Sequence, residues 1–138
     1  MNKELPKNIE AEKCLLGSMF WSKDSLQKGC EEGDKAIFYL DSHGKIFEAI
    51  KSLYLNDTPV DITSVTAYLV NNQKINEIGG VEYLNEIVNS VATGANIDYY
   101  INLVSEKYTL RKMIEVATNI VTKATDAGVN AADTIDEA

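Results

Sequence analysis

From Ala95 to Ala127 the chain has neither glycine nor proline, and its apolar residues fall on one helical face. Leu110, Met113, Ile114, Ala117, Ile120, Val121 and Ala124 repeat at spacings of three and four, the stripe of a helix that packs on another helix. The pattern predicts one helix from about Asn96 to Thr125, roughly 45 Å long at 1.5 Å per residue. A 138-residue chain is one domain's worth of sequence, with a radius of gyration of roughly 14 Å. The helix therefore outgrows the body that carries it, and one end projects. A projecting helix with an apolar stripe needs a partner.

The preceding residues also read as helices. Asn8 is placed to cap a first helix, with Glu10 and Glu12 suiting the positive end of its dipole and Ala11, Leu15, Leu16, Met19 and Phe20 facing inward. Gly17 in mid-helix costs up to about 1 kcal/mol relative to alanine, so it reads as the site of a close helix contact. Ser22 or Asp24 starts a second helix, which ends in the acidic, glycine-punctuated stretch from Gly29 to Asp34. Asp41 and Ser42 are caps for a third, with Ile46, Phe47, Ile50, Leu53 and Tyr54 inward. Asp61 caps a fourth, with the stripe Ile62, Val65, Leu69 and Val70, and Gly79-Gly80 separates it from a fifth carrying Val81, Leu84, Ile87, Val88 and Val91. Two prolines and eight glycines leave little room for a many-turned β sandwich. The expected fold is all-α: a compact multi-helix bundle over residues 1–95, then the long helix. After a hinge-like Asp126 to Asn130, a helical pattern begins at Ala131 and breaks off after barely two turns, so the chain reads as part of a longer protein.

Chemistry is scarce. Thirteen basic against 21 acidic residues leave a net charge of −8, which repels a phosphate backbone and disfavours direct nucleic-acid binding. No apolar run approaches the roughly 20 residues that span a bilayer, and no signal peptide opens the chain, so a cytoplasmic setting is expected. Gly44-Lys45 has Tyr39 where a phosphate-cradling loop needs its first glycine. A single histidine, His43, excludes metal sites built on two. It reads as a partly buried ring satisfied by a backbone group. Cys14 and Cys30 read as free, buried thiols, and acidic pairs such as Glu82 and Glu86 as solvated faces. No catalytic, cofactor or metal residue is expected. Of seven tyrosines, Tyr99, Tyr100 and Tyr108 cluster on the long helix, where at least one exposed ring would suit an interface. Lys107, Arg111 and Lys112 form the one local basic patch.

In order along the chain stand Pro6-x-Asn8-Ile9-Glu10-Ala11-Glu12, Leu16-Gly17, Phe38-Tyr39 with His43 and Ile46-Phe47-x-Ala49-Ile50, Pro59-Val60-Asp61, Gly79-Gly80-x-x-Tyr83-Leu84 and Ala95-Asn96-Ile97-x-x-Tyr100. Together they resemble the N-terminal domain of DnaB-type replicative DNA helicases from Leu5 to the end. Ser18-Met19-Phe20-Trp21 is bulkier, and Glu31 to Lys35 more acidic, than that family's pattern.

The resemblance implies a globular helical body plus a helical hairpin. Its first arm would be the long helix, and its second arm, from about Ala131, would be truncated, with the downstream linker and ATPase domain absent. Such a domain pairs with copies of itself, as a dimer or within a hexameric ring, and receives the helicase-binding domain of primase. A helicase loader acts on it or near it. ATP and magnesium belong to the ATPase domain, so this chain would be no enzyme. Tyr100, Lys107, Leu110, Arg111, Met113, Ile114, Ala117, Ile120 and Val121 are the residues expected at the self-association or primase interface. A stand-alone helical adaptor or a direct DNA-binding domain is the alternative.

Overall fold

The computed structural model describes residues 4–126, and every regular element among them is helical. The α-helices are α1 (Ile9–Ser18), α2 (Lys23–Glu32), α3 (Asp41–Leu55), α4 (Ile62–Asn71), α5 (Gly80–Val88) and α6 (Ile97–Thr125), with a single 3₁₀ turn at Lys35–Ile37. The hinge-like stretch beyond Asp126 and the expected second arm from Ala131 lie outside the described residues.

Local chemistry sets most of the boundaries. Asn8 accepts from the Ala11 amide at 2.9 Å, and Ser22 and Asp61 each form a reciprocal capping box with the serine three residues on. Gly79 and Gly80, both at positive φ, turn the chain into α5. The start of α3 departs from the expected cap: Leu40 occupies the N-cap and neither Asp41 nor Ser42 caps it with a side chain.

α1 lies at the centre, packed against α2, α3, α5 and the first half of α6. Leu15, Leu16, Ile46, Phe47, Ile50, Leu69, Leu84 and Ile87 build the core between these helices. Val70 and Val81, expected inward, are exposed instead: each lies at one end of its helix, while Val65 and Leu69 of α4 and Leu84 and Ile87 of α5 fill the core. Gly17 marks the closest approach. A Cβ there would collide with the Ile87 carbonyl oxygen of α5 and sit 2.7 Å from Ser90 Oγ. Both cysteines are free and buried, and burial pushes the Cys30 thiol up to about 11.

Two outcomes test this packing. Gly17→Ala should destabilise the chain by about 1–3 kcal/mol in urea unfolding, reversing the gain that alanine gives an ordinary helical glycine. The Cys30 value lies above the ordinary 9.0, so its contribution is complete below that pH and is lost as pH rises towards about 11. Cys30→Ala should flatten that alkaline slope in denaturation series measured across the window.

Candidate interaction surface on the projecting helix

The platform that holds α6 begins with a residue whose type conceals its place. Glu12 is 1% exposed and its carboxylate accepts the Tyr39 amide at 2.7 Å, the Leu40 amide at 3.4 Å and His43 Nδ1 at 2.8 Å. His43 is fully buried, and its Nε2 lies 2.6 Å from the Tyr83 hydroxyl. With Nδ1–H donating to the carboxylate, Nε2 accepts from the phenol and every polar atom of the relay is used. A buried carboxylate needs such partners. The relay ties α1 to α3 and α5, and it replaces two expectations. Glu12 is a core acceptor that serves the start of α3, and His43 is satisfied by side chains. Both ring nitrogens are committed, so His43 has none left to serve a cysteine nucleophile.

The segment fixed by Glu12 carries the clamp for α6. Arg111 donates through its two terminal nitrogens to the carbonyls of Pro6 at 2.9 Å and Ile37 at 2.8 Å. Its guanidinium also lies over the rings of Tyr39 and Tyr108, 5.5 and 5.9 Å from their centroids, and Lys7 sits 4.8 Å from the Tyr39 ring. Nearer the body, Ile97, Ile101 and Val104 are buried, while Tyr100, Leu103 and Tyr108 pack half-buried on the core. Arg111 is the last residue of α6 with any substantial cover: from Lys112 to Thr125 every position is exposed.

The residues expected at the interface therefore divide. Leu110, Met113, Ile114, Ala117, Ile120 and Val121 form a free apolar stripe, with Met113 62% and Val121 61% exposed. Tyr100 belongs to the docked half, its ring 5.7 Å from that of Tyr99, and Tyr99 is the exposed member of the tyrosine cluster. The basic trio is not one free patch. Arg111 is spent on the carbonyls of its own body, Lys107 is half-buried, and Lys112 is exposed beside Glu115 at 3.3 Å. Val116, 53% exposed, was missed because it falls outside the stripe's spacing. Glu12 left a clearer signal, standing three and four residues before the inward Leu15 and Leu16. Among the described residues no group of acidic, histidine or cysteine side chains could hold a metal, and no helix is long and apolar enough to cross a membrane.

The described residues thus form a small helical body that clamps one half of a long helix and leaves the other half exposed. The DnaB-like helicase N-terminal domain family matches residues 4–106, and this chain belongs to it. The chain is 44% identical over 115 residues to the replicative DNA helicase DnaC of Bacillus subtilis. It is 41% identical over 115 residues to the replicative DNA helicase DnaB of Geobacillus stearothermophilus. Each alignment covers 83% of this chain and 25% of the relative, so the chain spans about a quarter of those proteins. The crystal structure of the N-terminal domain of DnaB helicase from Mycobacterium tuberculosis superposes with a TM-score of 0.90 at 33% identity, covering 97% of this chain and 94% of that one.

Glu12→Ala should cost about 3–5 kcal/mol, because it orphans His43 and two backbone amides, and Tyr83→Phe about 1–2 kcal/mol. The milder Glu12→Gln should also speed amide hydrogen exchange at Tyr108 to Lys112, since the clamp of α6 hangs on the Glu12-bound segment. Unchanged exchange there would separate the relay from the helix.

Proposed function

We propose that this chain is the non-catalytic, N-terminal interaction domain of a replicative DNA helicase. In that role it joins copies of the helicase into a ring and offers a surface on which primase docks during DNA replication. The supporting observation is the outer half of α6. Its apolar stripe runs from Leu110 to Val121 while α6 packs only on α1, α2 and the 3₁₀ turn among the described elements.

The mechanism is physical and makes no bond. A second copy lays an apolar face over Leu110, Ile114, Ala117 and Val121, and removal of that surface from water is the favourable term that drives association. Specific interfaces bury about 1,200–2,000 Å² in total, so the stripe forms the centre of one side and body residues complete it. Lys107 and Lys112 steer an acidic partner at the modest energies of exposed charges. ATP and magnesium are assigned to the ATPase domain of such a helicase and no cofactor to this chain. The partners are a second copy, the helicase-binding domain of primase and a helicase loader, in a cytoplasmic setting.

The combined Ile114→Asp and Ile120→Asp variant tests the seam. Sedimentation at matched concentration should give a lighter species than the wild type, with unchanged helical circular dichroism. Equal molecular weights would overturn the assignment.

A further inference from the structure

An exposed aromatic surface lies at the turn between α1 and α2, beside the base of α6. Trp21, the chain's only tryptophan, sits at the turn between α1 and α2 and is 49% exposed. On one side of it lies a groove of about 810 Å³ whose apolar wall is Phe20, Leu26, Tyr54, Leu55 and Val60, with Lys23 and Asp57 as its one opposite-charge pair of lining residues. Leu55 there is 67% exposed. On the other side lies a groove of about 750 Å³ whose charged lining is Asp24, Glu31, Glu32 and Asp98 against Lys28 alone. Lys28 is paired with Asp98 and lies in the field of Glu32, and Gln27 donates to Glu31 at 3.0 Å, so a single cation faces four carboxylates in that lining. Trp21, Ser22 and Gln27 line both grooves, so the two adjoin at the indole.

Fold stability does not account for this arrangement. Met19, two residues before Trp21, is 1% exposed and fills the space against Gly29, so the core closes beneath the turn without the indole. A half-exposed tryptophan between an apolar trough and a polar rim has the composition of an interface hot spot.

We propose that the two grooves beside Trp21 dock a basic, amphipathic helix of another protein. Apolar side chains at helical spacing fill the trough by Leu26 and Leu55. A lysine or arginine of the same helix crosses the indole face, where a cation is attracted, and reaches the three carboxylates beyond. The acidic wall supplies the specificity, because it repels phosphate groups and acidic peptides. Only Ile97 and Asp98, at the base of α6, belong to this surface. Met113 lies fifteen residues further along α6, about 22 Å at 1.5 Å per residue, so occupation of the grooves does not depend on the self-association stripe.

Two labelled synthetic peptides test the proposal on the intact chain: a Leu/Lys amphipathic helix and its Leu/Glu counterpart, followed by fluorescence anisotropy at low salt. The Leu/Lys peptide should bind and shift the emission of Trp21, and the Leu/Glu peptide should do neither. Trp21→Ala and the surface pair Glu31→Lys with Glu32→Lys should each weaken binding about tenfold or more. The Ile114→Asp and Ile120→Asp variant should bind as the wild type does, which separates this surface from the stripe. Circular dichroism checks that each variant is folded. Equal affinity for both peptides, no binding of the Leu/Lys peptide, or wild-type affinity in both groove variants would overturn the proposal. Self-association lost in Trp21→Ala but kept in the stripe variant would give the grooves to a second copy, and would overturn it equally.

Discussion

The carboxylate of Glu12 is the constraint on which the rest of the molecule depends. A buried charge is costly unless its oxygens are occupied, and Glu12 meets that demand with two backbone amides and an imidazole drawn from residues 39–43. One consequence is the placement of α3, whose start carries no side-chain cap of its own. Another is the placement of Tyr39, whose amide is held by Glu12 while its ring faces Arg111. Arg111 in turn bonds the Ile37 carbonyl on the same segment. A single buried acid is thereby connected, through one short stretch of chain, to the angle at which α6 leaves the body.

Where α6 leaves matters because of what it carries. Its inner half is covered by α1 and α2, whereas its outer half keeps a wide apolar stripe in water. Isolated helical segments are marginal, and the exposed outer half continues a helix whose inner half is docked on the body. A rigid root turns the stripe into a directed surface. The same stripe on a loosely attached helix would lose more entropy on binding.

The grooves beside Trp21 present a different kind of surface. They are built from turns and helix ends, they combine apolar and acidic walls, and they meet α6 only at its base. The two surfaces differ in chemistry as well as position: the stripe is suited to a second apolar helix, and the grooves to a cation-bearing one.

Helical periodicity, the capping residues Asn8, Ser22 and Asp61, and the absence of breakers between Ala95 and Gly128 determined the elements, including the span of α6. These are local properties, decided within a turn or two of each residue, which is why they are legible in order along the chain. The close approach at Gly17 was legible for the same reason, since a glycine in a helix interior costs stability without a neighbour to require it. Charge roles were not legible. Glu10 and Glu12 stand two residues apart at the same helix start, yet one is solvated and the other fully buried, and only the arrival of Tyr39 and His43 from distant sequence separates them. Arg111 and Lys112 are adjacent, yet one is bound to backbone carbonyls of the body and the other lies in water. Tertiary structure decided these because a charged side chain's energy depends on what surrounds it in space, whereas an apolar stripe needs only a face.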